Sequence, residues 1–345
     1  MSRSDPPSIV CPLPVGDRGK VLLAHGGGGR HTRDLLRDHV LPAVGAQAAR
    51  HDAAILPGGL AMTTDAYVVR PLFFPGGDIG KLAVIGTAND LAMAGARLES
   101  LALSMILEEG LELALLDRVL ASVRETADAL GAIVVTGDTK VVERGRGDGV
   151  YLTTTGLGRR TTGAEIGPWR VRSGDAILVS GDIGRHGVAV LAARGTLGLH
   201  NVPDSDVEAL WPAVEALLTA GVEVHALRDC TRGGLATVLH EIAAAADLTL
   251  EVVERLLPID PAVAAACELL GLEPMHMACE GRMVVFVPDE QANDALTALL
   301  AIGVSCGAAK IGRVITGPGE AWLRGAYGQE RPIELPLGEL LPRIC

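Results

Sequence analysis

Aromatic side chains are scarce: three Phe, three Tyr and three Trp among 345 residues. Single-stranded nucleic acid is held largely by stacking its bases on aromatic rings, so that class of partner finds little here. Positive charge is also short. Lys and Arg number 30 against 42 Asp and Glu, a formal net charge of −12 at pH 7. A nucleic-acid backbone needs a basic footprint, so no nucleic acid is expected as a partner. No apolar run approaches the ~20 residues of a membrane span, and the first 16 residues are broken by prolines rather than built around an apolar leader core. The expectation is a cytoplasmic chain with no membrane partner. Cysteine is sparse and dispersed. Cys11, Cys230, Cys267, Cys279, Cys306 and Cys345 contain no CxxC pair, which argues against a disulfide framework. His276 and Cys279 form a lone HxxC, and a zinc site would need two further ligands.

Apolar residues are plentiful, at 48%. A chain of this length predicts two domains, each with its own core. The expected division is an N-terminal Gly-rich segment over 1–50, an α/β domain over 51–165, an α+β domain over 166–328 and a mobile Pro-rich tail over 329–345. Strands are predicted at 21–24, 61–64, 100–107, 132–136 and 150–155, and helices at 81–94 and 117–130. In the last of these Val119, Leu120, Val123, Ala127 and Leu130 share one face, and Gly131 stands where a C-terminal cap glycine is expected. The second half predicts strands at 176–180, 222–227, 282–287 and 309–314, with helices at 187–193, 207–220, 235–246, 261–270 and 290–302. Strands and helices do not alternate regularly, which favours an α+β arrangement over a doubly wound sheet.

Several groups could carry chemistry. Gly26–Gly29 is a glycine run whose amides could converge on an anion, although no Lys-Ser/Thr follows as in a Walker loop; a structural turn is the other reading. Asp52, Asp65, Asp90, Asp138 and Asp229 stand beside hydroxyls, amides or glycines. That setting suits Mg²⁺ holding a polyphosphate, and it equally suits capping and turns. Lys140 and Glu280 flank apolar strands, where burial could tune either for acid–base work; as surface residues they would do nothing unusual. The chain closes on Pro342-Arg343-Ile344-Cys345. A terminal cysteine on a tail that can extend is either incidental or chemical.

Taken together these stretches resemble the HypE family of hydrogenase maturation factors, the carbamoyl dehydratases. That family lies within the ATP-binding superfamily of aminoimidazole ribonucleotide synthetase and selenophosphate synthetase. The resemblance rests on His25–Gly29, Thr63–Val69, Pro71–Lys81, Gly86–Asp90, Gly137–Val142, Arg228-Asp229 with Thr231–Gly234, and the terminal Pro-Arg-Ile-Cys. It implies a two-domain aminoimidazole ribonucleotide synthetase-like fold with a flexible tail. The activity implied is ATP-dependent dehydration of a thiocarboxamide on Cys345 to a thiocyanate, which supplies cyanide for the iron of NiFe hydrogenase. By the same resemblance Gly27, Gly28, Thr64, Asp65, Asn89, Asp90, Asp138, Thr139, Asp229 and Thr231 would line the ATP site. Asp52, Asp65, Asp90 and Asp229 would hold Mg²⁺, and Cys345, Glu280 and Lys140 would be catalytic. The implied partners are HypF as carbamoyl donor, a HypC–HypD complex as cyanide acceptor, and a second copy of the chain. Cys230 and Cys279 depart from the family pattern inside otherwise matching motifs.

Overall fold

The computed structural model describes residues 19–45, 51–161, 165–195, 198–199, 201–335 and 343–345. Cys11, Pro342 and the rest of the expected tail over 336–341 lie outside the described residues. The chain becomes describable just before Leu23–Gly26, a single 3₁₀ turn where a strand over 21–24 was predicted. Val21 and Leu23 are exposed there, and among the described residues this segment pairs with no strand. Helices α1 (Arg30–Leu35) and α2 (Leu41–Val44) follow, joined through a π turn.

The first sheet is built from β1 (Ala54–Leu56), β2 (Leu60–Tyr67), β5 (Ala96–Glu108), β6 (Ile133–Val142) and β7 (Val150–Arg160). A small hairpin, β3 (Phe73–Phe74) with β4 (Gly77–Asp78), leads into helix α3 (Ile79–Met93), and helix α4 (Leu113–Leu130) joins β5 to β6. Strand order is β1-β2-β7-β5-β6, with only β5 and β6 parallel. Along β2 the side chains alternate as a half-buried strand requires: Ala61, Thr63 and Tyr67 are buried, and Met62, Thr64 and Ala66 are exposed. In α4 Val119, Val123 and Ala127 are buried, and Gly131 adopts φ 69° at its end, as its position in the sequence requires.

The second sheet has seven strands: β8 (Asp175–Val179), β9 (Ala226–Asp229), β10 (Thr249–Val253), β11 (Met283–Pro288), β12 (Ala309–Ile315), β13 (Ala321–Arg324) and β14 (Glu330–Pro332). Their order is β14-β13-β10-β12-β8-β11-β9. Five helices accompany it: α5 (Arg185–Ala193), α6 (Trp211–Thr219), α7 (Gly234–Ala246), α8 (Pro261–Leu270) and α9 (Ala292–Leu300). Helix α6 starts later than predicted because Pro212 belongs in a first turn. The boundary expected at 329 also moves. Residues 330–332 pair with β13 as an edge strand, where proline is tolerated, and Ile333 and Leu335 are buried.

Helix α3 ties the two sheets together. Asp78 caps it, its Oδ1 accepting from the amides of Gly80 at 2.7 Å and Lys81 at 3.2 Å. Nearly every side chain of α3 is buried, as suits a helix packed on all sides. It packs on β2, β5 and β7 and also touches β9 and α6. Asn89 makes the polar join. Its Nδ2 donates to the carbonyls of Glu208 (3.1 Å) and Glu280 (3.2 Å), and its Oδ1 accepts from the Leu210 amide at 2.8 Å. Asn89→Leu would leave these three buried groups unpaired, at a cost of about 3 kcal/mol or more. A clear fall in the urea midpoint is the expected result, and an unchanged midpoint would show that Asn89 does not hold this junction.

Candidate active site

The chain segments that meet at this junction bring three carboxylates together. Asp52 precedes β1, Asp90 sits near the end of α3 and Asp229 closes β9. One ligand oxygen from each lies within 4.8 Å of the other two. Thr63 on β2 donates to Asp90 Oδ2 at 2.7 Å. Arg228 pairs with Asp52 at 2.8 Å and with Glu241 at 2.9 Å. Even so, Asp52 Oδ2 and Asp229 Oδ2 are buried with no hydrogen-bond partner among the described residues. Burial raises the pKa of Asp90 and Asp229 well above the usual carboxylate range, and each is raised further by neighbouring carboxylates. Two orphaned oxygens in an all-carboxylate donor set fit a hard divalent cation. Helix α7 begins at Gly234, five residues after Asp229.

Asp65 was expected as a fourth ligand, but it is not in this group. Its carboxylate accepts from the Ala66 amide at 2.9 Å and faces Arg232 at 3.8 Å. Arg232 in turn lies under the glycine run. Gly28 has φ 75°, and a Cβ there would sit 2.8 Å from both the Cβ and the carbonyl oxygen of Arg232. Gly27 is buried, and the Gly28 amide donates to Thr32 Oγ1 at 2.9 Å. Gly28 is therefore what lets this segment lie against Arg232. Thr231 is part-buried, and its carbonyl accepts from the Gly234 amide at 2.9 Å in the turn entering α7.

The end of the chain reaches the same place. The Cys345 α-carboxylate accepts from the Val68 amide at 3.2 Å, and the Arg343 carbonyl from the Arg70 amide at 3.1 Å. Cys345 is part-buried against the first core. Negative charge at Cys345 is the largest influence raising the Arg232 pKa, with Asp65 and Glu280 adding to it. Glu280 is only 3% exposed, and its Oε1 is another orphaned oxygen. Burial, followed by Asp229 and Asp206, pushes its carboxyl well up. A carboxyl raised towards neutrality is suited to accept and return a proton.

Other expected residues stand elsewhere. Asn89 is not available to a nucleotide, because its amide is committed to the backbone across the junction. Asp138, Thr139 and Lys140 lie on β6, at the edge of the first sheet. Asp138 is in register with Ser104, Thr153 and Ala66 across the sheet, three strand spacings or about 14 Å from β2. Lys140 is 69% exposed and bonded to Asp138 at 2.5 Å. The buried setting that would tune it is not formed among the described residues. Thr64 shares the outer face of this sheet, bonded to Thr155 at 3.0 Å.

Family models match along both sheets: residues 50–160 fit the N-terminal domain, and 172–322 the C-terminal domain, of AIR synthase related proteins. The carbamoyl dehydratase HypE of Rhodobacter capsulatus is 47% identical over 334 residues, covering 94% of this chain and 98% of that one. This chain belongs to the HypE family. Among solved structures, a hydrogenase maturation protein HypE in complex with ATP matches with a TM-score of 0.81 and 41% identity, over 94% of this chain and all of that one. A HypE–HypF complex matches with a TM-score of 0.84 and 39% identity, over 88% of this chain and 99% of that one.

Some residues of this HypE-family site carried no individual signal in the sequence. Arg228 and Arg232 stood inside the quoted motif without a role, and His186 and Arg194, which hold the tail, stood outside every motif. The alternation of charge in Arg228-Asp229-Cys230-Thr231-Arg232 was the only available hint. The cluster itself has a measurable cost. A carboxylate whose folded pKa is raised destabilises the fold at pH above its unfolded value, and the full cost is present once pH exceeds the folded value. Asp229→Asn is therefore expected to raise the melting temperature of chelator-treated protein at pH 8 and to leave it nearly unchanged at pH 4. A variant less stable than the parent at pH 8 would contradict this account.

Proposed function

We propose that this chain is an ATP-dependent carbamoyl dehydratase that acts on its own C-terminal residue, converting a thiocarboxamide on Cys345 to a thiocyanate. The reading rests on one observation above the others: Cys345 is docked in the cleft that also holds Arg232, Glu280 and the carboxylate cluster. An amide oxygen is a poor leaving group. ATP supplies the phosphoryl group that lets this oxygen depart as phosphate, and both N–H protons are lost as C≡N forms. Glu280 takes a proton from nitrogen, since its raised pKa suits it to a base acting near neutral pH. Arg232 faces the negative charge at Cys345. Mg²⁺ held by Asp52, Asp90 and Asp229 would offset the charge of the polyphosphate. The glycine run over Arg232 is the segment best placed to cover it.

HypF as carbamoyl donor and HypC–HypD as cyanide acceptor complete this reading, in the cytoplasm. The HypF assignment is supported by the likeness to the HypE–HypF complex. A homodimer belongs to it too. Edge strand β6 exposes Ile133 (62%), Val135 (57%) and Val141 (66%), and an apolar open edge invites pairing with another strand. The dimer is also the route by which Asp138, Thr139 and Lys140 of a second copy would come to serve a cleft. Val135→Glu with Val141→Glu is expected to shift the protein from dimer to monomer in sedimentation equilibrium and to lower dehydration. A parent protein that sediments as a monomer at micromolar concentration would refute this part.

The chemistry has its own test. Mass spectrometry of the C-terminal peptide, after carbamoylation and addition of Mg-ATP, should show the loss of one water with release of ADP. Glu280→Gln is expected to slow that loss by about 10²-fold or more while retaining ATP binding, and Cys345→Ala should abolish the modification. A carbamoylated peptide that keeps its mass in the parent protein would end the proposal.

A further inference from the structure

One buried titratable side chain at the tail belongs to neither the carboxylate cluster nor the sulfur. His186 is fully buried in the first turn of α5. Its Nε2 lies 2.9 Å from the Ile344 carbonyl oxygen, and its Nδ1 lies 2.8 Å from Ser205 Oγ. A carbonyl can only accept, so Nε2 carries the hydrogen. Ser205 Oγ accepts from the Val207 amide at 3.2 Å and donates its own hydrogen to Nδ1. The ring is thereby fixed in one neutral tautomer, and burial holds it there. Phe74 packs edge-on against it at 5.3 Å.

The neighbouring contacts follow the same plan. The main-chain oxygens of the last three residues each have a donor from elsewhere: Arg70 N and Arg194 Nη2 to the carbonyl of 343, His186 to that of 344, and Val68 N to the carboxylate of 345. The Ile344 side chain is 4% exposed and packs into the first core. The Arg343 guanidinium pairs with Asp148 and donates to the Val68 carbonyl at 3.0 Å. Of these donors, only His186 comes from a side chain that is wholly buried and polarised by a second residue behind it.

We propose that His186 is a positioning residue for the reaction at Cys345: its Nε2 hydrogen bond to the Ile344 carbonyl holds the terminal thiol in the cleft. The proposal rests on the dehydratase reading for its meaning, but its test does not need that reaction. Iodoacetamide labelling of the unmodified protein, followed by peptide mass spectrometry, reports on Cys345. The exposed Cys306 serves as an internal control.

His186→Phe keeps a ring and removes both hydrogen bonds. It is expected to label Cys345 about fivefold faster or more, the worth of one neutral hydrogen bond, with Cys306 unchanged. His186→Gln, which retains a donor, should return the rate towards that of the parent. In the dehydration assay His186→Phe should lower kcat and leave the KM for ATP unchanged. Equal Cys345 labelling in parent and His186→Phe would overturn the proposal. So would joint acceleration of Cys345 and Cys306, or a Gln variant that behaves like Phe. Should His186→Phe not fold, Ser205→Ala carries the test by releasing the tautomer. In that case unchanged labelling of Cys345 overturns it.

Discussion

Packing Asp52, Asp90, Asp229 and Glu280 into one junction is the constraint to which the surroundings answer. Carboxylates out of water resist ionising, and each makes the next harder to ionise. The fold offsets part of this with Arg228 against Asp52 and Arg232 against Asp65. It leaves the remainder uncompensated, in the form of buried oxygens without hydrogen bonds. Strain of that kind is found where a ligand supplies the missing charge. The two sheets supply rigid strand ends to hold these groups, and α3 fixes the distance between them.

The same junction also receives residues 343–345. Residues 343–345 lie against the backbone at Val68 and Arg70, just past the end of β2. Strand β2 presents Thr63 and Asp65 to the cleft, so the tail is placed by the same element that helps build the acidic site. Arg232 touches three things at once: the glycine run, Asp65 and the charge at Cys345. A change in any one of them is felt by the other two.

Much of this was legible in the sequence where local signals sufficed. The apolar stripe of α4 with Gly131 after it, and the alternation along β2, depend only on neighbours in the chain. Strands β10, β13 and β14 were missed because they are short and find their places only through partners distant in sequence. The acidic cluster was visible as motif aspartates, yet the surroundings of Asp65 and Asn89 were not. Both sit inside matching motifs, and only the fold shows that one faces an arginine while the other is fully committed to backbone groups. Lys140 could not be placed from sequence, because its surroundings depend on what covers β6. His186 was invisible for a related reason: its partner lies 158 positions away.

The docked terminus has a consequence for how such a protein works over time. The group being processed is part of the same molecule, at an effective concentration set by a short tether rather than by diffusion. Adding more protein adds catalyst and substrate in equal number. Occupancy of the cleft by the tail is then a fixed property of each molecule, independent of dilution, and only the nucleotide can saturate. A molecule arranged in this way carries one reacting group per cleft, so each molecule can complete one round before that group has to be replaced.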